Sequence, residues 1–216
     1  MKTTTFPYHR FRYIYDVFGT VYFWLLLYNN IILSATIFEH LSKPGPGVAC
    51  STRLWQPNSM KTNAMRILDS LGIEYEVLEY PISDETNEDI ALYTSRMLGI
   101  PSEQVYKTII MESSSRDHFV FCLPAGFSIS LKRVRELTGS SSIDLLKVDK
   151  LLALTGYIRG GVSPLGMKRK FPTFIEELAL LEDFVYISGG LRGVSLKLRP
   201  ADLVSACSGT FASFVQ

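Results

Sequence analysis

The reading of this chain turns on Gly160-Gly161-Val162-Ser163-Pro164-Leu165-Gly166 and on a later stretch, Ser188-Gly189-Gly190-Leu191-Arg192-Gly193. Glycine has no Cβ, so its N–H can approach a ligand closely and its φ can turn positive. Each stretch lies beside a β-type segment. Two such loops can wall a pocket with backbone donors in place of side-chain acids. Taken singly, each reads equally well as a turn. A third feature accompanies them: Lys107 in Val105-Tyr106-Lys107-Thr108-Ile109-Ile110, a lone cation in an apolar, β-branched run. By pattern alone, Lys107 is either a site cation or an outward residue whose stem lies on apolar surface.

Around these pieces the text alternates between helix and strand. Thr62 or Asn63 can cap a helix with apolar positions at Ala64, Ile67, Leu68 and Leu71, closed by Gly72. Tyr75 to Tyr80 reads as a strand and Thr86 to Leu98 as a helix, with Asp84, Glu85, Glu88 and Asp89 suited to its N-terminus. Val105 to Met111 and Phe119 to Leu123 read as a hairpin across the polar turn Ser113 to Asp117. Ser130 opens a short basic helix that Gly139 ends. Ile143 to Leu146 reads as a strand, and Asp149 as the cap of a helix ended by Gly156. Phe174 to Leu180 reads as helical. Phe184 to Ile187 and Val194 to Leu198 are strands flanking the second glycine loop, and Pro200 opens a last helix. The pattern is α+β, with neighbouring strands close enough for antiparallel pairing.

At 216 residues the chain suits one domain with an appendage. A net charge of +1 excludes a strongly basic nucleic-acid protein by composition, though not a local basic face. Lys168, Arg169 and Lys170, with Arg159, Lys132, Arg133 and Arg135, are the candidates for such a face, or form an ordinary solvated surface. Cys50, Cys122 and Cys207 lie far apart, without a C-x-x-C or a metal-ligand spacing to His9, His40 and His118. This reads as a reduced chain with no metal and no cofactor. Cys122, inside Phe119 to Leu123, reads as a buried hydrophobe.

The first residues differ from the rest. Val17 to Phe38 contains no charged residue, a length that suits a bilayer span. Lys2, Arg10 and Arg12 precede it, which would place the following domain outside the cytoplasm. Three readings stay open: an anchor or signal sequence, translation upstream of a start at Met60, or an appended hydrophobic helix. We therefore divide the chain into residues 1–59, a hydrophobic segment and linker, and residues 60–216, one domain.

Tyr80, "YKTII" at 106–110, "TGYIRGGVSPLG" at 155–166 and "YISGGLRG" at 186–193, in this order and spacing, resemble the YbaK family of aminoacyl-tRNA editing deacylases. The resemblance covers the chain from about Thr62 onward. It implies a mixed, mostly antiparallel, barrel-like sheet surrounded by helices, and clearance of mischarged Cys-tRNA(Pro) or Cys-tRNA(Cys). It also implies that Lys107, Tyr80, Gly160 and Ser188 form the editing site. For a cysteinyl substrate it implies that the substrate's own thiol attacks its ester, which matches the lack of any visible protein nucleophile.

The ester is already activated, so the protein need only stabilise an oxyanion and orient the chain end. Lys107, Gly160 and Ser188 are expected to be catalytic. Tyr80, Gly161, Ser163, Pro164, Gly189, Gly190 and Arg192 are expected to bind substrate. Relatives often carry a lysine where Leu191 stands. Prolyl-synthetase editing domains that clear Ala-tRNA(Pro) place a histidine after the first loop, where this chain has Leu165-Gly166-Met167-Lys168-Arg169-Lys170. The alternatives are a hydrolytic Ala-tRNA(Pro) editor and a non-catalytic module that binds tRNA or a synthetase. The expected partners are aminoacyl-tRNA and, transiently, prolyl-tRNA synthetase. DNA is not expected, a membrane only if residues 17–38 span one, and the expected location is the cytoplasm.

Overall fold

The computed structural model describes residues 61–82 and 89–216. The apolar run 17–38, the boundary at 59/60 and the opening of the second expected helix, 86–88, lie outside the described residues. Among the described residues no helix is long and apolar enough to cross a membrane.

Helix α1 (Asn63–Ser70) begins at Thr62, whose Oγ1 accepts the Met65 N–H at 3.2 Å. Ala64, Met65 and Leu68 share its buried face. The chain then enters one sheet of eight strands: β1 (Glu76–Glu79), β2 (Val105–Ser113), β3 (His118–Pro124), β4 (Ile143–Leu145), β5 (Thr173–Glu176), β6 (Val185–Ser188), β7 (Val194–Leu198) and β8 (Thr210–Ala212). Four further helices accompany it among the described residues: α2 (Ile90–Leu98), α3 (Leu131–Thr138), α4 (Val148–Thr155) and α5 (Pro200–Cys207). The hydrogen-bonded order is β1-β7-β6-β2-β3-β5-β8, with β4 joined to β2 off that path. Pairs β1/β7, β6/β7, β2/β3 and β2/β4 are antiparallel, while β2/β6, β3/β5 and β5/β8 are parallel. This is the mixed, mostly antiparallel α+β arrangement expected from the sequence.

The apolar run of β3 shows no alternation because both of its faces are covered. Val120 and Cys122 enter a core with Leu68, Ile187, Leu196 and Leu203. Phe121 and Leu123 point the other way, into a core with Met111, Val134, Ile143 and Phe214. Burial pushes the Cys122 thiol well above its ordinary range, so it is a packing group.

The register of β2 leaves a gap. On one edge β3 pairs with it continuously from Tyr106 to Glu112. On the other edge β6 pairs with Val105 and Tyr106, and β4 with Met111 to Ser113. Lys107, Thr108 and Ile109 have no strand partner on that edge among the described residues, and Ile110 is closed by the Leu146 N–H at 2.9 Å.

Some local expectations are corrected. Phe174 to Leu180 is not a helix. Its first residues form β5, held between β3 and β8, and only Glu177–Leu181 turns, as a 3₁₀ helix. The β-branched Thr173 and Ile175, both buried, favour the strand once neighbours exist on each side. The short strand β8 was not anticipated. Helix α2 starts at Ile90, because Asp89 is extended and its Oδ1 caps the Ala91 N–H at 2.9 Å. Helix α4 is preceded by Lys147 at the cap position, with Asp149 inside the first turn.

Candidate active site

The gap beside β2 opens into a cavity of about 810 Å³. Lys107, Thr108 and Ile109 supply its floor, and Ile187 and Ser188 come from the end of β6. Arg159 and Gly160 come from the first glycine loop, and Tyr80 from the end of β1. Asp89 to Ala91 and Thr94 come from α2. The structure therefore brings Lys107, Tyr80, Gly160 and Ser188 to one cavity, although they lie as far apart in sequence as 80 and 188.

Lys107 is held rather than free. Its Nζ donates to the Ala125 carbonyl at 2.9 Å and pairs with Asp89 Oδ2 at 3.1 Å. Its side chain keeps 22% exposure. An ammonium has three protons; two are engaged, so one remains for a ligand. Asp89 does double duty, capping α2 with one oxygen and fixing Lys107 with the other.

Tyr80 Oη lies 2.7 Å from Thr94 Oγ1. Burial, the largest influence, pushes its hydroxyl pKa up, so it remains a neutral donor at physiological pH. Its backbone N–H donates to the Gly193 carbonyl at 2.9 Å. A Cβ on Gly193 (φ +78°) would lie 2.7 Å from the Tyr80 carbonyl oxygen, so the second loop can seat the end of β1 only with glycine there. The two loops also meet each other: a Cβ on Gly161 would stand 3.3 Å from the backbone of Leu191 and Arg192.

This close packing consumes most of the backbone donors expected to serve a substrate. The Gly161 N–H donates to Ile158 O at 3.0 Å, and the Gly189 N–H to Val194 O at 2.9 Å. The Gly190 N–H donates to Ser188 Oγ at 3.3 Å. Gly160 differs. It lines the cavity, and its N–H enters no hydrogen bond among the described residues. Ser188 Oγ accepts from Gly190 and keeps its own proton to donate. Ser163 is fully buried, with Oγ accepting the Leu165 N–H at 3.3 Å, and Pro164 is buried beside it. Ser163, Pro164, Gly161, Gly189, Gly190 and Arg192 thus stand behind the wall and shape it, instead of lining it.

Four contributors were not singled out from sequence as site residues. Asp89 was read only as an acid suited to a helix N-terminus, and its cap position was the available signal. Thr94 and the Ala125 carbonyl reach the site through folding alone. Tyr157 sits beneath both loops: its hydroxyl donates to Leu165 O at 2.6 Å, and a Cβ on Gly190 would come within 2.9 Å of its ring. Among the described lining residues there is no cysteine, histidine or glutamate, and Asp89 is the one carboxylate. No group of three potential metal ligands occurs among the described residues.

A fold of this kind with a cation, a hydroxyl and a free glycine N–H around one cavity is suited to an acyl ester whose oxyanion needs donors. The sequence profile of the aminoacyl-tRNA editing domain matches residues 91–206. The chain belongs to that family, and its class of reaction is deacylation of aminoacyl-tRNA. It is 33% identical over 154 residues to a protein of Enterococcus faecalis named as a candidate Cys-tRNA(Pro)/Cys-tRNA(Cys) deacylase, EbsC, covering 70% of this chain and 92% of that one. Two solved structures share the fold. A candidate trans-editing enzyme for prolyl-tRNA synthetase superposes with a TM-score of 0.64 at 22% identity, over 73% of this chain and 99% of the other. A hypothetical protein superposes at 0.64 and 20%, over 72% and 100%.

Proposed function

We propose that this chain is a free-standing trans-editing deacylase of the cytoplasm that clears cysteine from mischarged tRNA(Pro), and also from tRNA(Cys). The observation that carries this is the cavity, which gathers donors from four elements yet, among its described lining residues, holds no cysteine and no histidine to activate a hydroxyl. A cysteinyl ester brings its own. The substrate thiol sulfur attacks the ester carbonyl carbon, the bond from that carbon to the ribose 3′ oxygen breaks, and the thiol proton passes to that oxygen. The products are a cysteine thiolactone and tRNA with a free 3′ hydroxyl. The third Lys107 proton and the Gly160 N–H stabilise the carbonyl oxygen as it gains charge, each such donor contributing roughly 10²–10³ in rate. Ser188 Oγ and Tyr80 Oη orient the amine and the ribose. The partner is aminoacyl-tRNA, with prolyl-tRNA synthetase engaged in a transient complex.

The test is a deacylation panel with Cys-tRNA(Pro), Cys-tRNA(Cys), Ser-tRNA(Pro) and Ala-tRNA(Pro). Serine is nearly isosteric with cysteine but lacks the thiol. Cys-tRNA is expected to clear far faster than Ser-tRNA. Equal rates on both would overturn thiol assistance and point to a water held near Gly160. Binding without cleavage of any member would leave a non-catalytic tRNA module.

A further inference from the structure

The residues that both line the cavity and stand in solvent define its rim, and they are of an unusual kind. Leu145 and Val148 are 64% and 58% exposed although they line the cavity. Between them in sequence is Lys147, exposed at the cap position of α4, and beyond the far end of α4 is Arg159, exposed beside Gly160. Neither cation has an ion pair or side-chain hydrogen bond among the described residues. Lys150, by contrast, one turn along α4, is occupied by Glu112 at 2.9 Å. Among the described lining residues the one carboxylate, Asp89, is engaged with Lys107. Among the described residues that line the cavity, the rim is therefore cationic and apolar together.

We propose that this rim, Leu145, Lys147, Val148 and Arg159, seats the single-stranded 3′ end of tRNA, its cations taking backbone phosphates and its apolar side chains taking base faces. The inference rests on the reading of the cavity as the seat of the terminal aminoacyl ester, and it names where the preceding nucleotides go. A single strand needs this pairing of a charged track with apolar platforms. Lys147 precedes the N-terminal end of α4 and Arg159 follows its C-terminal end, so the two cations come from separate segments around the one cavity. An acidic protein surface would find the cations, but a folded surface lying on the rim does not reach down to Lys107 and Thr108 inside the cavity. A strand ending in an aminoacyl adenosine does so.

The experiment uses the full chain and the variant Lys147→Ala/Arg159→Ala, both positions being solvent-exposed. Fluorescence anisotropy measures binding of an uncharged acceptor microhelix ending in single-stranded ACCA across a potassium chloride series. For a single strand the log–log salt slope falls by about 0.7 per phosphate contact, so the variant is expected to lose about 1.4 from the slope's magnitude. Leu145→Ser/Val148→Ser is expected to weaken binding with the slope unchanged. In cleavage, the cation variant is expected to lose kcat/KM on Cys-tRNA and none on 3′-cysteinyl-adenosine, which has no backbone phosphate. An unchanged salt slope overturns the proposal, leaving a protein partner as the occupant of the rim. Equal losses on tRNA and on cysteinyl-adenosine also overturn it, since the cations would then act on the ester itself. If the wild-type chain cleaves neither substrate, the cavity reading fails, while the salt slope still decides where the strand binds.

Discussion

Lys107 is the residue whose two readings separate most cleanly. Its ion pair with Asp89 is partly exposed, and such pairs contribute under about 1 kcal/mol to stability. Stability therefore does not explain a lysine in the central strand of a sheet. Lys107→Ala is expected to cut Cys-tRNA deacylation by roughly 10²–10³. The melting temperature should stay nearly unchanged, since a partly exposed side chain of this kind carries within about 0.5 kcal/mol. Steady activity in the variant would return Lys107 to an ordinary strand residue. Asp89→Asn refines the test, because asparagine caps a helix as well as aspartate does while removing the charge. With α2 still capped and Lys107 anchored only by the Ala125 carbonyl, kcat is expected to fall by less than in Lys107→Ala, at constant melting temperature. A melting temperature that drops with kcat would mean that Asp89 acts through the helix alone.

At the scale of elements, the C-terminus is tied down by a buried acid. Glu176, 1% exposed in β5, accepts the Phe214 N–H at 2.8 Å and the Val215 N–H at 3.1 Å through Oε2. Glu176→Ala leaves both donors unpaired, at about 1–3 kcal/mol each. Hydrogen exchange is expected to accelerate first at residues 210–215. Burial, outweighing those two hydrogen bonds, raises the Glu176 pKa above the ordinary glutamate value. The folded protein thus holds this proton more tightly than the unfolded chain. Relative to Glu176→Gln, the wild type should lose stability as pH rises from the ordinary value through the raised one, and lose no more above it. A wild type that instead gains on the variant over that interval would contradict the assignment. The same element marks the limit of what the sequence disclosed. Helix ends were legible because a single side chain or glycine sets them: Thr62 at 3.2 Å from its amide, and Gly99, Gly139 and Gly156 in left-handed conformation. β5 and β8 were not, because their parallel partners lie tens of residues away and Glu177 to Leu181 reads locally as helix. At the site, Lys107 and the two loops announced themselves by composition. Which glycine N–H remains available depends on how the loops pack together, and no spacing encodes that.

At the scale of the molecule, a sheet covered on both faces carries its cavity in an edge rather than on a face. β2 is paired without interruption to β3, so the break between β6 and β4 can stay open without loosening the strand that bears Lys107. Every component of this arrangement named among the described residues lies downstream of residue 60. The first cap is Thr62, the two large cores draw on residues from Ala64 to Val215, and the family match spans 91–206. A chain beginning at Met60 is therefore expected to unfold in one cooperative transition and to deacylate Cys-tRNA as fast as the full chain does. Calorimetry and single-turnover cleavage on the two proteins side by side make the comparison. Equal melting temperatures and rates would assign residues 1–59 no part in folding or editing. Aggregation of the shorter chain, with the full chain soluble, would mean instead that the apolar stretch 17–38 packs on the domain. The division at residue 60 would then be wrong, because the core would extend upstream of Thr62.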